Sequence, residues 1–206
     1  MKPTAYRELR RQAPRLALAL LFQSEQQKQL LATLFLFGLE LDRVAAQASE
    51  PMLALIRLKW WEDQLDSGTE EAGPLSGYLH HAMTEGQLSR EDITGLIRGK
   101  TQTVQAGQTD RSENWADLVN VMAVKTGGQS SDLPRLIGRA VAQSRAGQPV
   151  GQVPSAQDIY RTCGAGCEFL ICLAYLATEA DKRDLDTAPF LIFGLLKQVV
   201  LKPASR

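Results

Sequence analysis

The stretch from Leu34 to Asp66, LFLFGLELDRVAAQASEPMLALIRLKWWEDQLD, constrains the fold of this chain more than any other. Leu30, Leu34, Phe37, Leu41 and Ala45 recur at steps of three and four, which places them on one face of a helix ending near Ala48. Ser49-Glu50-Pro51 then breaks the pattern. Proline at a first helical turn loses nothing by lacking an N–H, so a second helix is expected to open at Pro51, with Leu53, Ile56 and Trp60 along its packing face. Trp60 and Trp61 are adjacent and therefore about 100° apart on a helix. One is expected in the core, and the other against a neighbouring helix or a cavity rim.

Helical spacing continues through nearly the whole chain, and no run alternates at the strand period. Residues 67–77, SGTEEAGPLSG, read as a loop. Ser89 and Asp92 have the spacing of a capping box, flanked by Leu88 and Ile93 as a hydrophobic staple, and the helix they open runs to about Gly107. Further helices are expected at about Glu113–Lys125 and Leu133–Arg145. Ser155 with Asp158 opens a long apolar helix to about Glu179, and a last helix spans Ala188–Lys202, with Phe190, Phe193, Leu196 and Val200 as its face. The expected architecture is all-α, one domain over residues 1–206 built from about eight helices.

Composition narrows the function. Hydrophobic residues make up 44% and charged residues 22%, as in an ordinary globular chain. Twenty-three basic residues balance twenty-three acidic ones, so no global field draws in nucleic acid. Three cysteines do not form a disulfide framework in 206 residues; Cys163 and Cys167 read as buried thiols beside Gly164 and Gly166. His80 and His81 lie far from them in sequence, which argues against a zinc set. Residues 1–22 are arginine-rich and then apolar, but Glu8 and the lack of a small-residue cleavage site favour a structural helix over a leader. No segment reaches the roughly 20 apolar residues that span a bilayer. A cytoplasmic protein, peripheral at the inner membrane at most, is expected.

The chemistry turns on one helix face. Magnesium bridges carboxylates to substrate phosphates in octahedral oxygen coordination. Two carboxylates four residues apart share a helix face and can hold such ions together. The chain has Asp42, but Ala46 where a second acid would stand, and Glu40 points elsewhere. No nucleotide loop, nucleophile elbow or zinc-protease pattern is present.

Arg15 before an apolar helix, Glu50-Pro51, Ile56-Arg57-Leu58 and Trp60-Trp61 together resemble the squalene/phytoene synthase family. Leu96-Ile97 with Gly99 and Ile137-Gly138-Arg139-Ala140 are weaker echoes. The resemblance implies a trans-isoprenyl diphosphate synthase-like bundle, here shortened. Active members place an Asp-x-x-x-Asp motif where Asp42 and Ala46 stand, and a second acidic motif opposite it. The matching stretch, RAVAQSRAGQPVG from Arg139 to Gly151, contains no acid.

The phrase LELDRVAAQASEP resembles a degenerate branch that includes a mitochondrial assembly factor for respiratory complex I and its bacterial relatives. The resemblance therefore implies a non-catalytic assembly or maturation role, with a protein partner or a lipid at an apolar cavity, and neither catalytic residues nor metal. Asp42, Arg57 and Trp60 are the expected remnants of a ligand site, Arg57 pairing with Asp42 or with a phosphate. The rival reading is an active head-to-head prenyltransferase using prenyl diphosphates and magnesium.

Overall fold

The computed structural model describes residues 4–48, 50–67, 73–108, 110–164 and 166–179. Within them lie ten helices and no strand: α1 (Ala5–Gln12), α2 (Pro14–Leu18), α3 (Glu25–Gln47), α4 (Pro51–Ser67), α5 (Pro74–Thr84), α6 (Arg90–Gln105), α7 (Ser112–Lys125), α8 (Asp132–Arg145), α9 (Ala156–Cys163) and α10 (Glu168–Glu179). The all-α expectation holds, with ten helices rather than about eight. Pro14 divides the amino-terminal segment, and glycines divide the long helix expected from Ser155. The expected helix over 188–202 lies outside the described residues.

Several boundaries follow from side-chain chemistry. The Ser24 hydroxyl accepts the Gln27 N–H at the start of α3. Ser89 and Asp92 cap α6 reciprocally, and the flanking Leu88 and Ile93 are both buried. At the end of α9, Gly164 takes φ +73° and donates its N–H to the Tyr160 carbonyl, and Gly166 follows at φ +96°. Those backbone angles favour glycine, and they turn the chain between α9 and α10. The 67–77 loop is shorter than composition suggests, because Pro74 begins α5.

Helix α3 is central, packing against α1, α4, α5, α6 and α7. Its buried residues go all the way round: Leu31, Leu34, Phe35 and Phe37 are fully enclosed. The core is continuous from Leu9 and Leu20 through α3 to Phe169 and Leu173 of α10, so the amino-terminal segment is structural. Helices α7 and α8 are in intimate contact: a Cβ added to Gly138 would stand 2.3 Å from the Trp115 carbonyl oxygen. No helix of the described residues is long and apolar enough to cross a membrane.

Helix α4 corrects the expected packing face. Ala54, Leu58 and Trp61 are buried, whereas Leu53, Ile56 and Trp60 are 46%, 58% and 43% exposed. At about 100° per residue the two sets lie on opposite sides of the helix. Apolar residues occupy both sides of α4, so periodicity did not distinguish them. Trp61 is the tryptophan that enters the core, edge-on to Phe37 at 5.5 Å between ring centroids.

Candidate functional site

Asp42 lies one turn before the end of α3 and is 5% exposed. Its carboxylate is fully engaged. The Lys100 ammonium, reaching across from α6, donates to Oδ1 at 2.9 Å, and the Trp115 indole N–H of α7 donates to Oδ2 at 2.9 Å. Lys100 is itself 1% exposed, and the Arg111 guanidinium stands 3.9 Å from Oδ2. Two opposite charges withdrawn from water each carry a desolvation penalty of several kcal/mol, so they persist only if they meet with good geometry. This pair has both a short charge-assisted contact and an added neutral donor.

Around the carboxylate the space is filled. A residual void bordered by Gly38, Leu41, Leu96 and Leu118 measures about 10 Å³, at or below the roughly 10–15 Å³ that one water needs. Leu118 occupies the place a side chain at residue 38 would take, its Cδ2 2.5 Å from an added Cβ. Phe35 packs near Trp115, with ring centroids 6.3 Å apart.

The α8 end that approaches this centre brings a cation instead of an acid. The Arg145 guanidinium sits over the Trp115 ring, 4.9 Å from its centroid. Desolvation pushes its pKa down, with Arg111 acting the same way, against the opposing pull of Asp42. Arg139, at the start of the same acid-free stretch, pairs with Glu113. One carboxylate therefore faces Lys100, Arg111 and Arg145. A divalent ion at Asp42 would have to displace the ammonium or sit beside it, and like charges a few ångströms apart repel strongly in a buried site. Among the described residues no group of three or more His, Cys, Asp and Glu is placed to hold a metal ion.

The three expected ligand residues do not converge. Asp42 is inside; Arg57 and Trp60 are exposed on α4. The cationic partner of Asp42 is Lys100, not Arg57, because α6 runs past the inner face of α3 while Arg57 turns outward. Ala46 is exposed beside a cleft of about 290 Å³ whose walls include Pro51, Ala54, Lys100 and Arg111. Trp60 packs only edge-on to Trp61, at 5.1 Å, among the rings described.

Lys100 and Trp115 were missed, yet each left a signal. Ile93, Leu96, Ile97 and Val104 define the inner stripe of α6, and Lys100 falls within it at helical spacing. A lysine in a buried stripe requires a buried partner, and Asp42 is the carboxylate on the inner face of α3. Cys163, Cys167 and Cys172 are free and buried, as expected. Burial pushes the Cys163 thiol up to about 11 and the Cys172 thiol up to about 12, leaving neither reactive as a thiolate near neutrality.

Comparison with known proteins identifies the family. No curated protein and no solved structure matches the chain. The squalene/phytoene synthase family profile matches residues 9–120, more than half of the sequence, which takes in Asp42, Lys100 and Trp115 and stops before α8. The chain belongs to the squalene/phytoene synthase family.

Proposed function

We propose that this protein is a non-catalytic member of its family, an assembly or maturation factor that acts by binding a protein partner. The observation that carries the reading is the Lys100 ammonium on Asp42, whose carboxylate has both oxygens engaged and almost no space beside it for a metal ion. A head-to-head synthase must draw off a diphosphate and stabilise the departing charge with metal. Here the remaining carboxylate is neutralised from within the chain, and the approaching end of α8 is cationic.

The partner surface is supported by α4. Met52, Leu53, Ile56 and Trp60 form an exposed apolar stripe on the side away from the core, and Met52 is 62% exposed. Contiguous apolar exposure of this kind marks interaction sites, and the tryptophan that ends the stripe is of a type enriched among interface anchors. The degenerate branch that the sequence resembles, with its complex I assembly factor, fits such a role.

Incubation with magnesium and farnesyl or geranylgeranyl diphosphate tests the reading. No squalene or phytoene is expected, and Ala46→Asp should create no activity, since the new carboxylate would meet Lys100 and Arg111. Turnover by the parent chain that disappears in Asp42→Ala would overturn the proposal and restore a magnesium-dependent prenyltransferase.

A further inference from the structure

A second region holds a cation that nothing in the chain's described part satisfies. Arg15, the N2 residue of the short helix α2, lines a pocket of about 190 Å³ between α2, α8 and α10. Its Nε and Nη2 are shielded from solvent and hydrogen-bond to no described residue. Guanidinium cannot shed its proton to escape burial, so the charge stays, and desolvation alone pushes its pKa down. Leaving such donors unmade costs more than an ordinary hydrogen bond gains, and a buried group in this state points to a missing ion or water.

The rest of the lining narrows the choice. Arg145, whose guanidinium also covers the Trp115 ring, lines the pocket as a second arginine, and Ser144 and Gln12 line it with side chains able to donate. Among the described residues no aspartate or glutamate borders the pocket. The remaining wall is apolar, with Leu16 from α2, Val141 from α8, and Leu173 and Leu176 from α10. Water would satisfy the donors but not two positive charges beside aliphatic side chains. A free inorganic anion would answer the charges and leave the apolar wall wet. Its volume of about 190 Å³ is many times the roughly 10–15 Å³ that one water needs, enough for an oxyanion head and the first carbons of a chain.

We infer that this pocket binds an anionic amphiphile, a phosphate or carboxylate head on an aliphatic tail, held without metal between Arg15 and Arg145. The head sits on the two guanidinium groups, with the terminal bonds of Arg15 turning its shielded N–H groups toward it. The tail lies along Leu173 and Leu176 and leaves through the open side of the pocket. The inference is independent of the α4 partner surface, because it uses none of that surface's residues. It requires only that the Asp42 centre be closed to the same ligand.

The test uses the full chain in EDTA, titrated calorimetrically with octyl phosphate, octanoate, octanol and inorganic phosphate. Octyl phosphate and octanoate are expected to bind at least tenfold more tightly than either octanol or inorganic phosphate. Arg15→Gln should weaken octyl phosphate at least tenfold, with Arg98→Gln, an exposed charge on α6, as the unchanged control. Inorganic phosphate binding as tightly as octyl phosphate would reduce the pocket to a simple anion site and overturn the proposal. So would octanol binding as tightly, or no binding of any of the four. If Arg15→Gln fails to fold, a diazirine-bearing octyl phosphate on the parent chain gives the answer. Labelling in α2, α8 and α10 supports the site; labelling confined to other helices overturns it. Loss of this binding would leave the absence of prenyltransferase turnover untouched, so the two readings fail separately.

Discussion

Asp42 and Arg15 are both charges drawn out of water, and the fold treats them in opposite ways. Asp42 has an ammonium on one oxygen, an indole N–H on the other, and almost no space left around it. Arg15 has two shielded nitrogens with no described partner and an open pocket alongside. A satisfied buried charge is structural: it fixes which helices meet and leaves nothing over for a ligand. An unsatisfied one costs stability and leaves donors over for an added ligand.

The comparison breaks most directly at Lys100. Lys100→Met leaves the Asp42 carboxylate buried without its cation and should cost about 3–5 kcal/mol in urea unfolding. Combining it with Asp42→Leu should recover most of that loss. A cost below about 1 kcal/mol for the single variant would mean that water reaches Asp42 and the centre is not sealed.

Gly138→Ala should come next, at about 1–3 kcal/mol, since the new Cβ collides with the Trp115 carbonyl and must spread α7 from α8. Near-ultraviolet circular dichroism of the indoles should change with it if Trp115 is displaced from Asp42. Arg15→Met, by contrast, removes a charge that has no described partner. Its unfolding free energy should stay within about 0.5 kcal/mol of the parent's or rise. A clear loss would show that Arg15 is already satisfied.

A partly buried pair supplies the gradation between these extremes. Burial opposes the ionisation of Asp92, but Lys125 and the Ser89 N–H and hydroxyl outweigh it and hold the carboxyl below its ordinary value. A depressed carboxylate contributes stability that is complete above its unfolded pKa of about 3.9 and is lost as pH falls through the folded one. Asp92→Asn should therefore be less stable than the parent at neutral pH by a small margin. That margin should close below about pH 4, as read from melting temperatures across the acid range.

What the sequence disclosed depended on whether one periodicity had one meaning. Helix α3 was legible because Leu34, Phe37 and Leu41 are all buried. The cap of α6 was legible because Ser89 and Asp92 act locally. Helix α4 was not, since Ala54–Leu58–Trp61 and Leu53–Ile56–Trp60 have equally good helical spacing and only the tertiary neighbours decide between them. The α9–α10 turn was hidden for a related reason: glycines beside buried cysteines fit a close contact, which Gly166 makes with the Thr126 backbone, as well as the turn that their backbone angles produce. At the site, Asp42 was found through its family motif, while Lys100 and Arg145 required knowing which helices pass one another. Arg15 was visible only as part of a resemblance, because an unsatisfied donor is a property of its surroundings.

The Lys100 tether also changes how the protein is coupled to its surroundings. A free ion that binds only the folded state adds stability that grows with the logarithm of its concentration, so a fold relying on one follows the ion supply. An ammonium on a side chain is present at a fixed effective concentration set by a four-carbon stem. It cannot be diluted away, taken up by a chelator or lost to a competing site. The packing of α3, α6 and α7 at this point is thereby independent of how much magnesium a cell holds, and the helices stay together through fluctuations that would empty an ion site.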